Sequence, residues 1–466
     1  MHPDAVCTSL ERASVGNSQE TWFVEASWPG GSRSLVLRRS ASDGTLTWTS
    51  RTVEYEALRV VGAAGLPVAP VVWLDGSGGP LERPYFVMER VAGAPPRDAA
   101  VSRELGELLA RLHEVPVGAA RAARTGGDAA HRPADDPLAA LPSGGAAGEL
   151  ARWEERYRDT RLAAMPLAGA LFAWLEAHLP EEVPPALLWG DAGPHNLLVA
   201  DGRITALLDW ELAHLGHPLD DLGAAQWACF NVLDPDEILA GYEAQAGPVD
   251  RDALRWFRCL ACLSRSVMLL ASNRAFAEGA VHRPSLAALG LDLVARNLSR
   301  AAREARWEEA AVGDPRARWA GEARGAGEVG AAHGAADAPI AARPDARELA
   351  VGLAGFLAAD LLPATQDRAL RRELKNAVAL LETIALQTHV EHVDQSALED
   401  EARALELQRA PEREAMRARL LAEHAASDTL LAPLRRLLGP RQGASDDRSQ
   451  PTSSERKDGS RPAPKS

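Results

Sequence analysis

The chain has 466 residues, more than one average core accommodates, so two or three domains are expected. Hydrophobic content of 46% and charged content of 25% belong to an ordinary globular protein, and a formal net charge of −14 gives no basic footprint for nucleic acid. No run approaches the roughly 20 apolar residues of a membrane span, the Met1-His2-Pro3-Asp4 start lacks the character of a signal peptide, and four cysteines make no disulfide framework. A cytoplasmic protein without membrane or nucleic-acid partners is the expectation.

From residue 8 to 92 the pattern predicts a small sheet with one helix. The polar stretch Gly16-Asn17-Ser18-Gln19-Glu20 precedes alternating strands at Thr21–Ser27 and Leu35–Arg39, which are separated by Pro29-Gly30-Gly31. Alternation puts Val36 and Arg38 on one strand face, with Leu35, Leu37 and Arg39 on the other. Thr52–Ala63, carrying Glu54, reads as a helix; Val68–Leu74 and Tyr85–Arg90 read as further strands.

A helical lobe is predicted over 93–305. Its first helix has Leu105, Leu108, Leu109 and Leu112 on one stripe and a packed His113 at its end. An Ala/Gly/Pro-rich insert fills 117–149, Arg152–His178 returns to helix, and 219–300 is helical with short breaks. Cys259 and Cys262 sit in an apolar run and read as buried thiols. Residues 306–344 have no hydrophobic period and read as a linker. Apolar stripes such as Leu370, Leu374, Val378 and Leu381 predict a separate helical bundle over 345–438, followed by a disordered tail at 439–466.

The segment L-L-W-G-D-A-G-P-H-N-L-L-V-A-D-G-R-I-T-A-L-L-D-W-E, residues 187–211, carries the chemistry. Asp201-Gly202 suits a two-residue type I′ turn between Asn196–Ala200 and Arg203–Leu208. A hairpin closed there sets Ala200 opposite Arg203, Leu198 opposite Thr205 and Asn196 opposite Leu207, with Asp209 just past the ladder beside Asn196. Asp191 is one short loop away. Taken alone, Asp191 and Asn196 read better as residues that cap and shape a turn. Together with Asp209, they supply two oxygen ligands for Mg²⁺ and a carboxylate base, the equipment of phosphoryl transfer.

W-G-D-x-x-x-x-N followed by L-L-D-W-E resembles the aminoglycoside-phosphotransferase-like kinases, a small-molecule branch of the protein-kinase fold, across roughly residues 10 to 300. D-W-E-L-A-H-L-G-H-P-L-D-D-L is most similar to the kinase domains fused or adjacent to acyl-CoA dehydrogenases. The resemblance implies an α+β, two-lobed fold: a small antiparallel sheet lobe, a helical lobe, then the all-α bundle. It assigns Asp191 to the catalytic-loop aspartate, and Asn196 and Asp209 to the metal ligands. Arg38 takes the place of the phosphate-binding lysine, with Glu54 as ion partner. Ser18 falls in the nucleotide-covering loop, where an ordinary turn is the competing reading, and Glu89 and Val91 fall at the adenine-binding hinge. Trp189, Asp221 and Glu211 become supports of the site. Two positions depart from the pattern: Trp189 where many relatives carry His, and Arg38 where Lys is usual.

The function expected is an ATP- and Mg²⁺-dependent phosphotransferase acting on a hydroxyl of a small molecule, with a hydroxyacyl-CoA thioester implied by the resemblance. The alternatives are a catalytically weak nucleotide-binding regulator and an aminoglycoside-type antibiotic kinase. Dimerisation or partner docking is the role expected of the bundle.

Overall fold

The computed structural model describes residues 4–13, 19–41, 46, 48–117, 138, 141–229, 232–280 and 284–307, then shorter stretches between 354 and 431, chiefly 395–408 and 412–429. Strands β1 (Val6–Arg12), β2 (Glu20–Trp28), β3 (Gly31–Arg39), β4 (Val71–Asp75) and β5 (Tyr85–Glu89) form one antiparallel sheet in the order β1-β2-β3-β5-β4. Helix α1 (Arg51–Ala63) packs on one face, where Val36, Phe86 and Met88 meet Ala57, Leu58 and Val61. The opposite face holds a smaller cluster of Ala26, Leu35 and Val87, as the two-residue period of a strand requires. Edge strand β1 is exposed along its length, so no buried alternation marks it in the sequence.

The chain then crosses to the helical lobe along Arg90–Ala94. Ala94 and Val199 exchange backbone hydrogen bonds at 3.0 and 2.8 Å, and Leu207 N–H donates to Pro67 O at 2.8 Å. Gly93 sits at φ +144°, and a Cβ there would meet Leu198 Cβ and Thr205 Oγ1, each at 2.9 Å. Glycine is required at this crossing.

The second lobe comprises α2 (Ser102–His113), α3 (Ala146–Thr160), α4 (Pro166–Ala177), β6 (Ala186–Leu188), β7 (Leu197–Ala200), β8 (Arg203–Leu207), β9 (His214–Gly216), α5 (Leu219–Trp227), α6 (Pro235–Ala246), α7 (Arg251–Ala277) and α8 (Pro284–Glu304). Strands β6 and β9 pair with each other, as do β7 and β8. The predicted stripe of α2 is buried throughout. The single helix expected over 152–178 is two, because α3 ends at Thr160 and Pro166 starts α4 at its first turn. Asp234 and Asp250 cap α6 and α7, each accepting from two backbone N–H groups of the first turn. Cys259 and Cys262 are buried free thiols of α7, and burial pushes Cys262 up to about 12.

Beyond this lobe the described segments are helical, chiefly α9 (Gln395–Gln408) and α10 (Arg413–Thr429). They are docked on the second lobe: Leu398, Ala402, Met416 and Leu420 share its core. Buried Glu399 accepts from Met165 N–H at 2.7 Å and Tyr157 Oη at 3.2 Å and pairs with Arg161. The segment read as a linker begins later than 306, since Trp307 is still buried, under the Arg417 guanidinium. The remainder of that linker, much of 345–394 and the tail from 439 lie outside the described residues. Among the described residues, no helix is long and apolar enough to cross a membrane.

Candidate active site

Asp191 sits in the loop after β6, and the backbone before it is held from behind. Trp189 N–H and Gly190 N–H donate to the two oxygens of Asp221 at 2.8 and 2.7 Å. Asp221 opens α5 and is itself met by His113 Nε2 at 3.2 Å, whose Nδ1 lies 3.0 Å from Tyr242 Oη. Gly190 has φ +84°, and a Cβ there would lie 2.3 Å from Leu212 O. Trp189 Nε1–H donates to Leu208 O at 2.8 Å, and its ring stacks on Trp210. Trp189 therefore ties the loop that carries Asp191 to the segment that leads from β8 to Asp209.

The Asp191 carboxylate has three neighbours. Oδ2 accepts from Asn196 Nδ2 at 2.8 Å and faces His195 Nε2 at 3.3 Å; Oδ1 pairs with Arg265 Nη2 at 3.1 Å. The same Arg265 nitrogen donates to Gly190 O at 2.8 Å. Burial alone would raise the Asp191 carboxyl, but Arg265, then His195 and Asn196, overcome it and hold the group at about 2. Because Asn196 spends its NH₂ on Asp191, its amide oxygen is the end turned away from that carboxylate.

The hairpin closes on Asp201 and Gly202, both with positive φ (51° and 73°), as a type I′ turn demands. Its register differs from the regular ladder expected. Ala200 pairs with Arg203, but Val199 pairs with Ile204 and Leu198 with Ala206, so Thr205 is bulged out. The Thr205 hydroxyl is drawn to Ala92 O at 2.8 Å and Leu198 O at 3.2 Å. Asn196 consequently lies opposite Leu208, whose N–H it accepts at 2.8 Å, and not opposite Leu207. The extra residue brings Asp209, itself at φ 60°, one step closer to Asn196.

Asp209 is part of a buried charge cluster. Arg38 of β3 reaches Glu54 of α1 through Nε at 3.1 Å and Asp209 Oδ1 through Nη2 at 2.9 Å, with Glu211 at 4.0 Å. Arg51, wholly buried at the start of α1, pairs with Glu54 and with Glu211 Oε2, the latter at 3.0 Å. Thr49 Oγ1 donates to Glu211 at 3.4 Å and accepts from Gln19 at 2.9 Å. Three carboxylates thus face two guanidiniums. Burial first, then Asp209, push Glu211 up to about 7, the response of a cluster one positive charge short. A hard divalent cation fits this arrangement: Asp209 and the amide oxygen of Asn196 offer the oxygen donors that Mg²⁺ prefers.

Glu89 and Val91 lie at the crossing between the lobes, where Glu89 N–H donates to Pro70 O at 2.8 Å and Arg90 N–H to Ser34 O at 2.9 Å. Ser18 falls outside the described residues. Sequence reading passed over Arg51, His195 and Arg265. A lone arginine on the apolar stretch Cys259–Val267 was the one available sign of Arg265; Arg51 and His195 gave none.

A profile described as a phosphotransferase enzyme family, APH, matches residues 9–257, more than half of the chain. Acyl-CoA dehydrogenase family member 10 of Mus musculus is 26% identical over 247 residues, covering 49% of this chain and 21% of that protein. Viomycin phosphotransferase of Streptomyces vinaceus is 31% identical over 160 residues, covering 32% of this chain and 52% of that protein. The chain therefore spans from about a fifth to about half the length of these relatives. A solved Ralstonia eutropha structure, provisionally described as an aminoglycoside phosphotransferase, superposes with a TM-score of 0.48 at 21% identity over 64% of this chain and 91% of that one. On the extent of the family match, the chain belongs to the APH phosphotransferase enzyme family.

Proposed function

We propose that the chain transfers the γ-phosphoryl group of ATP, with Mg²⁺, to a hydroxyl of a small acceptor of the hydroxyacyl-CoA class. The observation that supports this reading is an ionised Asp191, held by Asn196 and Arg265, with Asp209 following Leu208, whose N–H bonds Asn196 at the end of one bulged hairpin. Asp191 would accept the acceptor's hydroxyl hydrogen bond and take its proton late in a loose transition state, so weak basicity suffices. Arg265 holds that carboxylate ionised and aimed. Asn196 and Asp209 would hold Mg²⁺, which when bound neutralises charge on the phosphate oxygens.

Arg38 is proposed as the phosphate contact, braced by Glu54, and it must release Asp209 when the metal arrives. Glu89 and Val91 would present backbone groups to adenine, and Ser18 lies in the segment proposed to cover the nucleotide. Trp189, Asp221 and Glu211 support the loop and the metal aspartate. The acceptor class is favoured by similarity to proteins named as acyl-CoA dehydrogenase family members.

Two other readings each have a motive. The Arg38–Asp209 contact favours a nucleotide-binding regulator in which arginine keeps the metal aspartate occupied. The similarity to viomycin phosphotransferase favours an antibiotic acceptor. The test is ADP release from MgATP in the presence of a hydroxyacyl-CoA or of viomycin, using wild type and Asp209→Asn. Release that depends on the thioester and is lost in the variant supports the proposal. Release with viomycin alone reassigns the acceptor, and MgATP binding without release with any acceptor supports the regulator.

A further inference from the structure

Behind the catalytic loop lies a second polar cluster that phosphoryl transfer does not use. Glu149 stands in the first turn of α3, His214 opens β9, and Asp220 lies in the first turn of α5. His214 is the register partner of Leu188, the residue before Trp189, and Asp220 precedes the Asp221 that holds the Trp189 and Gly190 N–H groups. Glu149 is 2% exposed and His214 8%; Asp220, with its side chain 15% exposed, is the member with access to water.

The geometry is that of a ligand set. His214 Nε2 lies 3.2 Å from Glu149 Oε1 and 3.4 Å from Asp220 Oδ2, and the three ligand atoms all fall within 4.8 Å of one another. At such distances hydrogen bonds would be expected. Yet Nε2 of His214 is buried without a hydrogen-bond partner among the described residues, while Oε1 of Glu149 is met by the Arg152 guanidinium. The ring nitrogen lies within 3.4 Å of an oxygen of each carboxylate. Its other nitrogen, Nδ1, lies 2.9 Å from Leu212 O. A carbonyl can only accept, so Nδ1 carries a hydrogen and Nε2 is the ring atom turned to the carboxylates. That backbone-anchored tautomer is the usual support of a metal-bound histidine. Zinc bonds of about 2.0–2.1 Å in a tetrahedron set ligand atoms about 3.3 Å apart, which matches both measured edges.

We infer that Glu149, His214 and Asp220 form a zinc site, with one imidazole nitrogen, two carboxylate oxygens and a fourth position for water on the Asp220 side. Arg152, one turn along α3, contacts Glu149 Oε1 and braces that carboxylate from outside. The site joins the start of α3 to β9 and α5, so the ion acts as a staple behind the loop that carries Asp191. It is separate from the Mg²⁺ position at Asn196 and Asp209 and does not depend on the proposed reaction.

The experiment is metal analysis of the full chain, stripped with chelator, loaded with Zn²⁺ and dialysed, together with its melting temperature. Wild type and Asp209→Asn should both retain one zinc per chain and melt higher with zinc than without. His214→Gln and Asp220→Asn should lose both the zinc and the shift, and Co²⁺ in the wild type should give the visible absorption of a tetrahedral ion. If His214→Gln does not fold, Asp220→Asn decides alone, being the more accessible and isosteric change. Failure of the wild type to retain zinc, equal retention by Asp220→Asn, or loss of zinc in Asp209→Asn would each overturn the site.

Discussion

Arg265→Met removes the cation that governs the proposed base while keeping a side chain of similar reach in a buried position of α7. Asp191 is drawn from the ordinary 3.8 to about 2 against the opposing effect of its burial, and Arg265 leads the groups responsible. At about 1.4 kcal/mol per pKa unit, the folded surroundings, burial included, favour the ionised carboxylate by a net of between about 2 and 3 kcal/mol. A depressed folded pKa contributes stability that is complete above about pH 4 and is lost as pH falls through about 2. Without Arg265, burial, already the largest single influence, is opposed only by His195 and Asn196, so the Asp191 carboxyl rises from about 2, and Gly190 O loses its donor. Unfolding by urea at pH 7 should show a loss of about 3–5 kcal/mol, the usual result of breaking a buried pair, and the gap to wild type should narrow between pH 4 and pH 2. The acid limb of kcat/KM against pH should move upward in the variant. An unmoved limb together with an unchanged unfolding midpoint would refute the assignment of Arg265 as the residue that keeps Asp191 ionised.

Glu211, pushed up to about 7 from an ordinary 4.5, takes up a proton on folding within that window. Stability of the metal-free protein should therefore fall by on the order of 3 kcal/mol as pH rises from 4.5 to 7, and Glu211→Gln should flatten the slope in denaturant titrations. Gly93→Val forces a Cβ against Leu198 and Thr205 at a φ of +144°; a loss of about 1–3 kcal/mol is expected by thermal denaturation. Glu399→Ala removes the carboxylate shared by Met165 N–H, the Tyr157 hydroxyl and Arg161, leaving Met165 and Tyr157 only their bonds to each other. It should cost about 3 kcal/mol and speed amide exchange at the start of α4, whereas unchanged exchange there would contradict the docking of α9.

What the sequence disclosed was local. The Asp201-Gly202 pair requires positive φ at both positions, so the turn, and with it the approach of Asn196 to Asp209, followed from two adjacent residues. The Thr205 bulge did not, because its cause is the Ala92 carbonyl, more than a hundred positions away in the chain. Arg38 was placed by strand alternation and Glu54 by the helix that follows, yet the grip of Arg38 on Asp209 depends on how two lobes meet. Arg51 and Arg265 escaped notice for the same reason: an arginine is ordinarily exposed, and carboxylates distant in the chain help to hold these two in the interior. The stripes of α9 and α10 declared helices but not their seat, which Glu399 finds on Tyr157, Arg161 and Met165.

The most direct test of the phosphotransferase site is mass detection of phosphorylated products after a metabolite pool is incubated with MgATP and either wild type or Asp191→Ala. The account predicts a hydroxyl-bearing metabolite that gains one phosphoryl group with wild type, with the rate reduced by about three orders of magnitude or more in the variant. Equal phosphorylation by a folded Asp191→Ala protein would contradict it.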